Sequence, residues 1–470
     1  MATTPKCNNG WQTCECTVTR CSKYDGDNLT NTGIKTGDTV TVALQKIDNA
    51  LNPLTITQTI LSTLQTNLTL QAQFCSIVNS CIPTTTTTST STSTTTSTST
   101  STSTSTSTTT TEFVPTYTFI SVWDSTIAGA SGVGKVALPL QNIGVYAFYV
   151  DWGDGNVDYI TAYNQPEVTH TYAVPSTNHI ISIGGTIQGF RFANAGDKLK
   201  IKSILSWGEL KLGNSCCYFQ GCNNLNLSSV VDVPDLSGTT NLAVMFADCY
   251  SIGPINNVGS WNVSAVTHMG YMFQYTNFNQ DISSWNIGNV TTLEFMFNAT
   301  PFNNGGNPAI NNWNTSSVTS LRYTFRYCYF NQPIGNWNTS NVTNMEATFT
   351  AAWNFNQPIG TWDTSNVTTM NNMFASDGVN NNLPFNQNLG AWDISSVTNM
   401  SLFMYGKNAA NFSPNNFANT LCGWAATAQN GISITFGSAQ YCNTAASCYT
   451  TLDITKGWSI VSGGSTPTCY

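Results

Sequence analysis

Charge is scarce in this sequence. Of 470 residues, 15 are Lys or Arg, 23 are Asp or Glu and 3 are His, giving a formal net charge of −8. Nucleic acid and anionic membrane both demand clustered Lys and Arg, so neither is expected as a partner. Long apolar runs are missing as well: none reaches the ~18 residues of a membrane span, and no membrane insertion is expected. The opening stretch from Met1 to Trp11 lacks the apolar core of a signal peptide, and Gly463 to Tyr470 carries no anchor. The histidines, His170, His179 and His268, fall in two different modules with no Cys, Asp or Glu at triad or metal-cluster spacing. No Gly-rich phosphate loop follows a strand, and no acidic pair recurs at matched positions. Catalysis needs a positioned base, nucleophile or metal. No catalytic, cofactor-binding or metal residue is therefore assigned, and the chain reads as a non-enzyme, with a polysaccharide-degrading enzyme as the third choice.

What the chain has instead is a ladder of tryptophans: Trp261, Trp285, Trp313, Trp337, Trp362 and Trp392, spaced 24, 28, 24, 25 and 30 residues apart. The fifth residue after each is Val, from Val266 to Val397, and the eighth is Met or Leu, from Met269 to Met400. Twelve on come Phe273, Phe297, Phe325, Phe349 and Phe374, with Met404 beside Phe403 in the last copy. A Phe-Asn-Gln-like step follows, as at Phe278, Phe302, Phe330, Phe355 and Phe385, and an aliphatic residue stands three before most tryptophans. A fixed apolar pattern with such a period means one unit stacked on copies of itself, since no single copy can bury its own face. Val, Met/Leu and Phe at steps of three and four predict a short helical turn in each unit, and the Phe-to-Trp segment a short strand. The tryptophans invite a carbohydrate-platform reading because aromatic rings stack on sugars. A residue fixed in every repeat is better read as core: six such rings remove ~1,200 Å² from water, on the order of 30 kcal/mol before entropy. Binding is expected instead at the variable positions and loop insertions: Asn303, Asn304 and Asn307; Tyr327, Tyr329 and Trp353; and Asp377, Asn380 and Asn382.

The repeat resembles the bacterial surface-protein repeats of about 25 residues related to the BspA-like leucine-rich repeats, the stretch from Phe278 to Phe297 being the clearest copy. The resemblance implies a non-enzymatic recognition surface, in bacterial surface proteins or phage virion proteins, and an LRR-like solenoid over residues 248–410.

Other modules flank it. Residues 1–83 hold Cys7, Cys14, Cys16 and Cys21, whose Cys-x-Cys-x4-Cys spacing lacks the paired Cys-x2-Cys of structural zinc and favours local disulfides or free thiols. Val40, Leu44, Ile47 and Leu51, then Leu61, Leu64, Leu68, Cys75 and Val78, predict a small helical unit. The phrase from Gly33 to Asp48 is similar to segments near the N-termini of phage tail and fibre proteins, crAss-like ones included, and implies an attachment and oligomerisation end, a trimer being favoured. Residues 84–111 are only Ser and Thr, a linker or a thin β-stalk. Residues 112–200 alternate as strands, and Asp151-Trp-Gly-Asp-Gly155 followed by His170-Thr-Tyr172 resembles PKD-like immunoglobulin-type sandwiches, implying a spacer. Asp151 and Asp154 are read as turn formers rather than a calcium or catalytic dyad, with Trp152 filling the core. Residues 201–247 keep the leucines and lose the Trp, as an N-terminal cap should. Residues 411–470 form the C-terminal cap, with Cys442 and Cys448 expected to staple it.

The expected fold class is thus mixed α/β and multidomain: helical N-terminal unit, Ser/Thr stalk, PKD-like sandwich and LRR-like solenoid with caps. With neither leader nor anchor, the first functional expectation is a virion-surface fibre or decoration protein, joined to other virion proteins by its N-terminal unit and binding a host-surface glycan or protein. The alternative is a bacterial cell-surface adhesin.

Overall fold

The computed structural model describes residues 16–17, 20–21, 118–379, 383–467 and 469, and the chain divides into units 1–109 and 110–470. In the first unit, β1 (Cys16–Thr17) pairs antiparallel with β2 (Arg20–Cys21). The amphipathic rows expected after it, and the Ser/Thr tract, lie outside the described residues.

The second unit begins with a β-domain of seven strands: β3 (Phe119–Trp123), β4 (Lys135–Ala137), β5 (Leu140–Asp151), β6 (Val157–Ile160), β7 (Thr169–Thr171), β8 (His179–Phe190) and β9 (Ile201–Ser206). An antiparallel sheet runs β6-β5-β8-β3-β9, and β4 pairs with β7 beside it. The alternation of the sequence sets the inner face: Phe119, Phe148, Val150, Ile181 and Ile183 are buried. The β5–β6 turn uses Gly153 at φ +79, where an added Cβ would stand 2.4 Å from the Ile180 carbonyl oxygen, so only glycine fits.

This domain is not a closed module. Phe190 and Phe192 reach Phe219 at 5.9 and 6.2 Å, and Phe219 stacks on Phe246 at 5.8 Å, so one apolar core runs from the sheet into the repeats. The backbone continues too, through parallel bridges Gln188↔Lys211, Ser203↔Asn226 and Lys211↔Asp235. The sheet, expected as a spacer over residues 112–200, runs past residue 200 through β9 and forms the end wall of the stack.

In the repeats, parallel bridges run in one file, His268↔Thr292↔Ser320↔Asn344↔Thr369↔Asn399. Each bridge is a single residue, and alternate N–H groups do different work. Phe295, Phe297 and Ala299 donate sideways to Arg322, Thr324 and Arg326 of the next copy at 2.9–3.1 Å. Met296 and Asn298 between them instead close turns on the carbonyls of Leu293 and Phe295, both at 3.1 Å. The closure needs left-handed residues, and Phe295 and Ala299 (both φ 55), Tyr323 (57) and Tyr327 (51), and Ala347 and Ala351 (both 51) supply them. A non-glycine residue there costs about 1 kcal/mol, offset by the sideways and turn-closing hydrogen bonds that this backbone makes.

The expected fold class is overturned here. Among the described residues the repeats contain no α-helix, and the three-and-four spacing of Val, Met/Leu and Phe comes from these alternating turns. Among the described residues the class is strand and turn, with α-helix only at α1 (Pro414–Trp424) and α2 (Ala446–Thr450). Strand-plus-helical-turn units of the leucine-rich kind are absent from the described residues.

Three polar ladders tie copy to copy. The Thr after each repeat Val donates its hydroxyl to the preceding Thr carbonyl: Thr291 to Thr267 (3.0 Å), Thr319 to Thr291 (3.0 Å) and on to Thr398. The Trp indoles donate to the carbonyl of the aliphatic residue one copy back, Trp337 to Ile310 at 3.0 Å and Trp392 to Ile359 at 2.9 Å, with Trp285, Trp313 and Trp362 alike. The Asn of Phe-Asn-Gln forms the third: the side chains of Asn279, Asn303, Asn331, Asn356 and Asn386 each accept the backbone N–H of the next copy at 2.7–3.0 Å. Inside them the rings stack in two files, Phe273, Phe297, Phe325, Phe349 and Phe374 at 5.6–6.2 Å, and Phe278 to Phe385 at 5.8–6.2 Å.

The stack ends under α1, started by Ser413 as cap with Pro414 in the first turn, and the short strands β10 (Ser433–Thr435), β11 (Tyr441–Cys442), β12 (Ser459–Val461) and β13 (Ser465–Thr466). Cys422 bonds Cys448, and Cys442 bonds Cys469. Cys442 and Cys448, expected to staple the cap, each do so, with Cys469 and Cys422 as their partners. At the seam Lys407 is 2% exposed, its ammonium donating to the carbonyls of Leu383 (2.6 Å) and Phe385 (2.8 Å). Burial pulls its pKa down to about 7. Between this value and the ordinary lysine range the unfolded chain binds the extra proton, so stability rises with pH by up to ~1.4 kcal/mol per unit. Above pH 9 the buried thiols Cys249 and Cys328, pushed up to about 12 by burial, oppose the trend. Melting temperature should therefore climb from pH 7 to 9 in the parent and stay flat over that interval in Lys407→Met, which differential scanning calorimetry reads directly.

Candidate functional site

The tenth residue after each repeat Trp is the first left-handed one, and in three consecutive copies it is aromatic: Tyr271, Phe295 and Tyr323. Their half-buried rings stack at 4.4 Å with planes 10° and 3° apart. Arg322 lies 4.6 Å from the Tyr323 ring centre and is paired by Glu346 at 2.8 Å, which also accepts the Tyr323 hydroxyl at 3.2 Å. Burial, then the Glu346 charge, push the Tyr323 phenol up, so it remains a neutral donor at physiological pH.

Arg326 continues the line. Its guanidinium sits 5.2 Å from the Tyr323 ring centre and 4.2 Å from that of Tyr327. Tyr327 and Tyr329 then meet Trp353 at 6.1 and 4.8 Å. The result is one strip across four copies, aromatic throughout and carrying both arginines of the repeats. Between residues 212 and 406 the sequence holds no Lys and only these two Arg. Arg322 is paired by Glu346, and the Glu294 charge also acts on Arg322 and on Tyr271; Arg326 has no carboxylate partner among the described residues and lies over ring faces. Such a surface stacks on flat or C–H-rich ligands and draws anionic ones.

The structure brings together three of the expected binding residues, Tyr327, Tyr329 (48% exposed) and Trp353, and sets the others apart. Asn303 is a rung of the asparagine ladder; Asn304 is 0% exposed, accepting the Ile282 N–H and donating to Ser283 and to the Asn307 carbonyl. Asn307 caps its own short turn at Ala309 and donates to Asp281 at 2.6 Å. These three hold the insertion in place and have little left to offer a ligand. Asp377 accepts the Val379 N–H, while Asn380 and Asn382 lie outside the described residues. The six tryptophans are 1–4% exposed. Sequence reasoning missed Tyr271, Phe295, Tyr323, Arg322 and Arg326, although an aromatic at the same repeat position three times running was a signal.

Chemistry elsewhere is structural. Ser125 lies 2.8 Å from His179 Nε2, but both are buried, that nitrogen also accepts the Ser176 N–H, and burial holds the His179 pKa down. Asp151 and Asp154 bond the turn N–H groups of Gly153 and Asn156, Asp154 also meets His170 at 2.8 Å, and Trp152 is fully buried. Among the described residues no group of three His, Cys, Asp or Glu is placed to hold a metal, and no helix is long and apolar enough to cross a membrane.

Residues 214–328, 303–419 and 376–462, together more than half the chain, match one family, described as Mycoplasma protein of unknown function, DUF285. No curated protein and no solved structure matches the chain.

Proposed function

We propose that this chain, which belongs to the DUF285 family, is a surface-displayed recognition protein of the adhesin type, binding without turnover. The observation that carries the reading is the strip Tyr271–Phe295–Tyr323–Arg326–Tyr327–Trp353–Tyr329, an aromatic and cationic surface on a stack otherwise nearly free of positive charge. Two cap disulfides support display in an oxidising compartment, since the reduced cytosol does not sustain them. The ligand class is a host-surface glycan or an acidic protein segment, engaged by ring stacking and the Arg326 charge.

The test is binding of the purified chain to host cells by flow cytometry. Arg326→Ala with Trp353→Ala should lower affinity at least tenfold, as expected when a central arginine and aromatic are truncated, with an unchanged melting temperature. Undiminished binding by the double variant sinks the assignment of this face. A second reading, a phage virion protein, rests on the phrase from Gly33 to Asp48; mass spectrometry of purified particles decides it, and presence of the chain there would replace cell-surface display with virion display.

A further inference from the structure

The β-domain carries a cavity of about 390 Å³ that has no part in the strip, lined by Leu140, Gln141, Asn142, Ile143, Tyr163, Arg191 and Ser215. It is a built feature. Between Leu140 and Val145 the pairing of β5 with β8 slips, and residues 141–144 leave the sheet as a bulge. The Tyr146 hydroxyl holds that bulge: it accepts the Gln141 N–H at 2.7 Å and lies 2.9 Å from the Gln141 and Gly189 carbonyl oxygens. Gly144 leaves room for it, since a Cβ there would overlap the hydroxyl. Arg191 follows β8 directly, its backbone tied to the Pro139 carbonyl at 2.8 Å. Ser215 bonds the Gln141 carboxamide oxygen at 2.8 Å, which turns that amide so that only its NH2 remains to be satisfied.

That wall has donors in excess. The Nε of Arg191 and the Nε2 of Gln141 are both sealed from solvent without an acceptor, and no carboxylate pairs with Arg191 among the described residues. A buried donor left unpaired is destabilising, more so on a charged group, and native structures keep few of them. Those two sealed atoms face no solvent themselves, but the Arg191 guanidinium lines the cavity, and an unpaired guanidinium at a cavity wall suits an oxyanion. The rest of the lining selects what carries it: Leu140, Ile143 (73% exposed) and Tyr163 (44% exposed) offer apolar faces on which the C–H face of a ring can rest, and the volume suits a ring-sized ligand.

We infer that this cavity binds a carboxylate-bearing sugar of the uronic acid class, its carboxylate on the Arg191 guanidinium and its ring against Ile143 and Tyr163. The site is separate from the strip, and its success or failure is independent of the adhesin reading.

Isothermal titration of the full chain with D-glucuronate, D-glucose, inorganic sulfate and inorganic phosphate tests it. Glucuronate should bind with glucose at least tenfold weaker. Arg191→Gln should weaken glucuronate at least tenfold, Arg191→Lys should weaken it less because a point charge replaces the fork, and Arg326→Ala should change nothing. Circular dichroism melts of the Arg191 variants, equal to the parent, separate loss of binding from loss of fold. No glucuronate binding, equal binding of glucose, sulfate or phosphate preferred over glucuronate, or full binding by Arg191→Gln each overturns the inference.

Discussion

Trp337→Ala should lower unfolding stability by ~3–5 kcal/mol, read as a drop in the denaturant midpoint. Trp337 is 3% exposed, packed between the Trp313 ring at 6.0 Å and the Phe325 ring at 6.1 Å. Alanine leaves a cavity that cannot close, because both neighbouring copies are held at their spacing by the threonine and asparagine ladders beside it. It also removes the bond to the Ile310 carbonyl. A stacked array has only nearest-neighbour coupling, so a weak copy at its centre separates the two halves energetically. One cooperative transition should therefore become two, the earlier belonging to the copies nearest residue 337. Trp337→Phe distinguishes volume from hydrogen bonding: the Ile310 carbonyl still accepts the Trp313 backbone N–H at 3.2 Å, so the loss should be only ~1–2 kcal/mol with a single transition retained. A Trp337→Ala midpoint equal to the parent's is the result that refutes this account of the spine.

That spine was legible because the sequence period and the stacking period are the same thing. A residue that recurs at each Trp, fifth-position Val and twelfth-position Phe is one that every copy must bury, and Trp313, Val318 and Phe325 are all under 5% exposed. The local conformation was not legible. Steps of three and four arise from a helix, and equally from turns alternating between right- and left-handed residues, as Leu293, Met296 and Phe297 do. The usual flags for the left-handed residue, Gly or Asn, are missing where Tyr271, Phe295 and Ala347 adopt it. For the candidate site, Tyr327, Tyr329 and Trp353 were readable as aromatics at variable positions, whereas Arg326 acquires its role only from ring faces on its own copy. The placement of Asn303 and Asn304 was not legible for a physical reason: in a chain so rich in Asn, its presence on an insertion does not say whether the amide faces solvent or the ladder. The cysteine pairing was equally closed to spacing arguments, since Cys422, Cys442, Cys448 and Cys469 admit three connectivities.

Those disulfides make the second large effect conditional on the compartment. Cys422–Cys448 closes a loop of 26 residues and binds α1 to α2, and Cys442–Cys469 closes one of 27 and binds β11 to the tail. Chain entropy assigns ~3–4 kcal/mol to each. The loops interleave, so removing both costs less than the sum yet more than either alone. The stack feels the loss because the cap supplies its last layer: Trp424 donates to the Leu389 carbonyl at 2.9 Å, and Phe403 packs on Trp424 at 5.8 Å. Treatment with dithiothreitol, or the pair Cys422→Ser and Cys442→Ser, should make residues 411–470 the first cut by a nonspecific protease, while the segment through Phe374 stays protected by its own ladders. The melting temperature should fall by several degrees. The buried thiols Cys222, Cys249 and Cys328 take part in no disulfide among the described residues, so reduction leaves them unchanged. A reduced protein that melts and digests like the oxidised one would show that packing alone seals this end, and would withdraw the support the disulfides lend to display outside the cytosol.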